Sequence, residues 1–165
     1  MSATEQQPQQ LKTVLIFGTF DLLHAGHENM IGQARAHGDQ IIAIIARDET
    51  VQKIKGHSPY HSEKDRMKNL KNSGLVDKVM LGNAGNKYDV IRKLRPQVIA
   101  LGYDQFAFTY GLEKLIIDEK IGAQIQRLKA YKPQMYKSSI IRANLLDQAV
   151  QNIENAVQGS FMTMS

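Results

Sequence analysis

Apolar runs alternating with helix-like segments predict an α/β chain. The expected form is a single Rossmann-like, doubly wound, mostly parallel five-stranded sheet with helices on both faces. Three observations carry that expectation. Val14-Leu15-Ile16-Phe17 and Ile41–Ala46 are continuous apolar runs rather than alternating ones, as strands covered on both faces must be. Each is followed, sooner or later, by a helical pattern, the kind of crossover that parallel neighbours require. Gly18-Thr19-Phe20-Asp21 then puts a turn at the carboxyl end of the first strand, where open sheets of this class bind ligands.

The elements run in order along the chain. Residues 1–10 are polar and Gln-rich and are expected to form a disordered tail, with the domain spanning 11–157 and a flexible end at 158–165. After the strand at Val14–Phe17, a helix is expected from Gly26 to Ala36, stopped by His37-Gly38. Ile41–Ala46 is the second strand, and Ala46–Lys53 is read as the segment leaving it. Ser62 caps a helix to about Lys71, with Asp65 three residues on as a capping-box partner. Val79–Leu81 gives a short strand and Tyr88–Leu94 a helix stopped by Pro96. Gln97–Leu101 is the fourth strand, Leu112–Lys120 a helix ended by Gly122, and Ala123–Leu128 the last strand. From Ser138 a long helix carries Ile141, Leu145, Ala149 and Ile153 at i+4 spacing, an amphipathic stripe.

Composition narrows the function classes. The 165 residues suit one domain, and 42% hydrophobic with 22% charged residues is the balance of a soluble globular protein. No apolar run reaches the ~20 residues that span a bilayer, so no membrane association is expected. The absence of cysteine removes disulfides and thiolate metal sites and fits a reducing cytoplasm, the expected location. A net charge of +5 suits an anionic partner or serves solubility. No dense Lys/Arg run with interleaved aromatics occurs, so nucleic acid is not an expected partner.

The chemistry concentrates in Gly18-Thr19-Phe20-Asp21-Leu22-Leu23-His24-Ala25-Gly26-His27. A strand, a Gly turn and a helix N-terminus make a phosphate-binding corner, because backbone N–H groups and the helix dipole both favour an anion there. His24 and His27 add imidazole donors on the first turn. The residues alone also admit a zinc pair or two packed histidines, although no HExxH pattern or cysteine accompanies them. GxGxxG and Walker-lysine patterns are absent, which argues against hydride transfer and an ordinary kinase. A second cluster is Lys137-Ser138-Ser139-Ile140-Ile141-Arg142. Ser138 or Ser139 would cap the last helix, while Arg142 sits in a first turn whose dipole opposes a cation. A phosphate shared by Arg142 and that helix end would account for its position, as would a solvated arginine beside an ordinary cap.

The stretch GTFDLLHAGH fills every defining position of GxFDxxHxGH, and the chain thereby resembles the nucleotidyltransferase superfamily that includes the cytidylyltransferases. KSSIIR resembles that superfamily's (S/T)SxxIR segment, which closes over the triphosphate. The resemblance implies nucleotide binding by Gly18, Thr19, Phe20, His24, Ala25, Gly26, His27, Gly102, Asp104, Ser138, Ser139 and Arg142. It implies catalytic roles for His24, His27, Arg142 and Lys53, the last resembling the family lysine that reaches the reacting phosphates. Asp21, Arg66, Phe106 and Phe108 are the expected acceptor contacts, with Arg66 resembling an arginine that closes on substrate. Lys53 and Arg66 also read as ordinary surface charges. Gly102 would permit close approach, and Asp104 could accept from a ribose or base. Phe106, Phe108 and Tyr110 alternate and, with Tyr103, supply four of the chain's eleven aromatics. A flavin ring needs such a stacking surface, though packing on the core is an equal reading.

ARDETVQKIKG, LGYDQ and KSSIIR together resemble the archaeal-type FAD synthetases, which are FMN adenylyltransferases. That resemblance implies FMN + ATP giving FAD and pyrophosphate, with Mg²⁺ carried by the nucleotide and no protein metal ligand assigned, in a homodimer. The alternative is a glycerol-3-phosphate cytidylyltransferase of the same length and motif order. A non-catalytic nucleotide sensor is the alternative of another class, but its mark would be a damaged motif, and both motifs are intact.

Overall fold

The structure, a computed structural model, describes residues 8–105, 109–135 and 137–162. Five strands among these residues form one sheet: β1 (Thr13–Gly18), β2 (Gln40–Ile45), β3 (Lys78–Leu81), β4 (Val98–Leu101) and β5 (Gln124–Arg127). Their order is β3-β2-β1-β4-β5, and all four neighbouring pairs are parallel. Among the described residues six helices join or succeed them: α1 (Ala25–Arg35), α2 (Asp48–Lys55), α3 (Glu63–Ser73), α4 (Asp89–Leu94), α5 (Thr109–Asp118) and α6 (Ser138–Met162).

The continuous apolar runs reflect burial on two faces. Val14 and Ile16 of β1, with Ile41, Ala43 and Ile45 of β2, face Ile31 and Ala34 of α1 and Leu70 of α3. The intervening Leu15, Ile42 and Ile44 face Val90 and Ile91 of α4 and Leu112 and Leu115 of α5. Both layers are buried, and each fully buried Leu or Ile contributes about 1.5–3 kcal/mol. The chain winds from β1 toward β3 in one direction and resumes at β4 on the other side of β1. The carboxyl ends of β1 and β4 therefore flank the switch point at which such sheets hold ligands.

Residues 48–55, which the sequence pattern left without an element type, are helical. Their charge hides the reason: the ends of α2 and α3 cap one another. Asp48 N–H donates to Glu63 Oε2 at 2.8 Å, and Glu63 N–H returns a bond to Asp48 Oδ2 at 3.1 Å. Each carboxylate thus sits at the positive end of the other helix. Ser62 caps α3 as expected, accepting from Asp65 N–H. The helical pattern does not loosen after residue 157 but continues to Met162. The expected stripe on α6 exists as periodicity, yet the body does not cover it: Leu145 is 37% and Ile153 65% exposed. Among the described residues no helix is long and apolar enough to cross a membrane.

Candidate active site

The corner after β1 is built under backbone strain. Phe20 and Leu22 both take left-handed conformations, at φ 52° and 50°, uncommon for bulky side chains and characteristic of functional sites. The Phe20 ring is buried and folds back over Gly18, where a Cβ would lie 2.9 Å from its Cε2. Any side chain at position 18 would push that ring out.

His24 is the N-cap of α1, and the two histidines form a capping box. His24 Nδ1 accepts from Gly26 N–H at 3.0 Å, and His27 Nδ1 accepts from His24 N–H at 3.3 Å. Their rings lie with centroids 3.9 Å apart. A neutral imidazole whose Nδ1 accepts must carry its proton on Nε2, so both rings are fixed as Nε2–H donors. The site is arranged to keep them neutral. Burial, reinforced by the nearby His24 and Lys55 and partly opposed by Asp21, pushes His27 down to about 3. Burial also lowers His24. This refines the expectation of open backbone N–H groups at the helix start: the Gly26 and His24 amides are taken by the imidazoles. An anion here meets the imidazole donors and the helix dipole.

Asp21 anchors a second segment to this corner. It is 6% exposed, and its carboxylate accepts from Tyr60 N–H at 2.6 Å and His61 N–H at 3.1 Å. Asp21 thus supports the 57–61 loop. That loop is met from above by Arg142, whose Nη1 donates to the Ser58 carbonyl at 2.7 Å and lies 3.3 Å from His57 Nδ1. The motif, the 57–61 loop and the start of α6 are therefore joined. The serine caps are placed differently from the expectation. The Lys137 carbonyl accepts from Ile140 and Ile141 N–H, which makes Lys137 the cap and Ser138 and Ser139 the first helical residues. Their backbone N–H groups belong to the set without intrahelical partners.

Arg66, expected as an acceptor contact, is turned inward in the structure. Its side chain is fully buried and donates to the Thr19, Ala46 and His61 carbonyls and to Asp48 Oδ1, at 2.6–3.1 Å. It braces the motif loop, the end of β2 and the 57–61 loop from below. Lys53 is exposed and paired with Glu49 along α2 at 2.9 Å. It lines an open cleft with Ile54, Asn83, Asn86 and Tyr88, and it is the charge of Lys55 that is felt at His27.

Across the switch point, the loop after β4 is tied down by Gln105, which sequence reasoning passed over. Its side chain accepts from Gly102 N–H at 2.8 Å and donates to the Phe17 carbonyl at 2.9 Å. Arg127 Nη1 holds the carbonyls of Gly102 and Gln105 at 2.9 and 3.1 Å. A Cβ at Gly102 would make only ordinary contact, nearest atoms at 3.5 Å, so the fold itself does not require glycine there. Asp104 is exposed beside it. Lys137 reaches back over the Tyr103 ring, 5.5 Å from its centroid. The neighbouring Tyr103 hydroxyl and, to a lesser extent, the charge of Asp104 raise its pKa. Phe106 and Phe108 lie outside the described residues.

The arrangement resembles known proteins in sequence and shape. Residues 15–144 match the cytidylyltransferase-like family. A FAD synthase from Pyrococcus horikoshii is 35% identical over 85% of this chain and 93% of its own length. A FAD synthase from Thermococcus onnurineus is 31% identical over 88% and 95%. Among solved structures, a lipopolysaccharide core biosynthesis protein from Thermoplasma volcanium superimposes with a TM-score of 0.70 at 29% identity, over 74% of this chain and all of that one. Pantothenate synthetase from Thermus thermophilus shares the fold, with a TM-score of 0.59 at 11% identity over 82% of this chain and 63% of that one. The chain belongs to the cytidylyltransferase-like nucleotidyltransferases, in the family of the archaeal-type FAD synthetases.

Proposed function

We propose that the protein is an FMN adenylyltransferase, joining FMN and ATP to give FAD and pyrophosphate. The observation that carries the chemistry is the close pair of neutral histidines at the N-terminus of α1, beside the sheet's switch point. Likeness to FAD synthases over most of both chains carries the substrate. The attacking group, the FMN phosphate, is already ionised at pH 7, so the site needs no activated side-chain nucleophile. Its oxygen bonds to the α-phosphorus of ATP as the bond to the bridging oxygen of the β-phosphate breaks, and pyrophosphate leaves with that electron pair. The protein's part is to align the two phosphates and to receive the charge that grows on the leaving group. His24 and His27 supply Nε2–H donors for that charge, and Arg142 with the start of α6 holds the terminal phosphates.

Mg²⁺ would enter with the triphosphate and neutralise part of its charge. Asp21 spends its oxygens on backbone N–H groups, and among the described residues no cluster of three His, Asp or Glu side chains offers a metal cage. A magnesium ion held mainly by phosphates and water suits these residues. The protein is proposed to act in the cytoplasm, as a homodimer, on small-molecule substrates without nucleic acid. Pyrophosphate release with ATP and FMN should exceed that with CTP and glycerol 3-phosphate. Strong turnover with the second pair alone would replace this reading by a polyol-phosphate cytidylyltransferase.

Arg142 gives a separate expectation. Its Nη1 donates to the Ser58 carbonyl, and the other N–H groups of the guanidinium are the ones a terminal phosphate would take. Arg142→Ala should weaken ATP binding by about 1.5–3 kcal/mol, the range for charge-assisted hydrogen bonds. AMP, which lacks the terminal phosphates, should lose much less. Lysine should restore only part, having the charge without the fork. Calorimetric titrations with both nucleotides check this, and equal losses would place Arg142 away from the terminal phosphates.

A further inference from the structure

The part of the molecule that adenylyl transfer leaves unexplained is α6. It is 25 residues long, about 37 Å, and the family match ends at residue 144, just inside its start. Beyond that point, among the described side chains, the helix exposes Leu146 by 55%, Val150 by 54%, Ile153 by 65% and Val157 by 50%. These are not scattered. With Ala143 they fall at alternating spacings of three and four, which is a heptad seam with Ala143, Val150 and Val157 at a and Leu146 and Ile153 at d. Such a seam fits a second helix of the same period, and Val150 at a following Leu146 at d is the combination that favours two strands.

The charges select the partner and its direction. After Arg142 the helix carries only Asp147 and Glu154, both at e, with Ala149 and Ala156 at g. In a parallel pair each e residue faces the g residue five positions earlier on the other helix. Glu154 would then face Ala149, and Asp147 the position of Arg142, whose side chain turns to the Ser58 carbonyl of its own body. That arrangement has no like-charge contact. In an antiparallel pair the e rows face each other and Asp147 meets Glu154. A membrane surface fits poorly, because this stretch has no Lys or Arg for anionic lipid. Residues 1–7, MSATEQQ, offer no apolar run of this chain's own to cover the seam.

We propose that α6 pairs with α6 of a second copy as a parallel, in-register two-stranded coiled coil, and that this seam is the homodimer interface. The inference rests on the homodimer reading above, not on the reaction. It also places the start of each α6, with Arg142, at the base of the dimer.

The absence of cysteine makes the test direct, using the full-length protein. Sedimentation equilibrium should give a dimer for the wild type and a monomer for the double variant Val150→Glu, Ile153→Glu. Those side chains are already half exposed, so their replacement does not disturb the core of the body. In an in-register pair the two copies of residue 150 adjoin, so Val150→Cys with oxidised glutathione should give a disulfide-linked dimer on a non-reducing gel. Asn155→Cys, at the outward f position, should not. A monomeric wild type, including one that instead sediments with anionic phospholipid vesicles, would overturn the proposal. So would a dimer that survives the double glutamate change, which would put the interface elsewhere. Dissociation by the glutamates without cross-linking at 150 would overturn the parallel register. All of these read mass, so failure of the FMN reading leaves them untouched.

Discussion

Replacing His27 with alanine is expected to cut kcat by roughly 10²–10³, the cost of losing one preorganised donor to a developing oxyanion. ATP affinity should fall less, because the bond strengthens as charge moves onto pyrophosphate. His24→Ala should behave similarly and also lose some stability, since it removes the cap on Gly26 N–H. The physical premise is that both rings are neutral with the proton on Nε2. Long-range ¹⁵N–¹H spectra should show that tautomer for both at pH 7, with His27 unprotonated down to about pH 3. The same premise sets the sign of a stability effect. The folded state disfavours protonation of His27, while the unfolded chain protonates near pH 6.5. His27 therefore contributes stability in full above pH 6.5 and loses it as pH falls toward 3. A urea series from pH 7 to 4 should fall less steeply for His27→Ala than for the wild type. Near-normal kcat in both variants would make the imidazoles only structural.

The second large effect is on stability. Arg66→Ala should cost about 3–5 kcal/mol, because it strands the Thr19, Ala46 and His61 carbonyls in a buried site and leaves Asp48 without its 2.7 Å partner. Arg66→Lys keeps the charge, but three donors on a flexible stem cannot reach four acceptors spread over this geometry, so partial loss is expected. Urea midpoints with an unchanged m-value measure it. Unchanged midpoints combined with a raised KM for FMN would return Arg66 to the substrate side of the site.

Those two residues mark where the sequence was legible. The corner Gly18–His27 is local: strand, turn, donors and helix start are contiguous, so residue types at fixed spacing disclose the chemistry. The sheet was equally readable, because two-faced burial leaves unbroken runs such as Ile41–Ala46. Arg66 was not readable. On a charged helix it looks solvated, and its acceptors are carbonyls up to 47 residues away, which leave no trace in composition. The helix at 48–55 was missed for a related reason, since its cap comes from Glu63, 15 residues on. Gln105 carries no type signal, yet it ties the ends of β1 and β4 together. Lys53 and Lys55 are both cations on one short helix, and only three dimensions show which one His27 feels. On α6 the periodicity announced an apolar face without saying that the body leaves it bare.

The most direct test of the central claim tracks the α-phosphorus. ATP labelled with ³²P at the α-position, incubated with FMN and Mg²⁺, should pass its label to FAD, with one unlabelled pyrophosphate released per flavin adenylated. ATP labelled at γ should send its label to pyrophosphate alone. Label from the γ-position in the flavin product, or no α-label in flavin while the protein stays folded and binds ATP, would contradict the account.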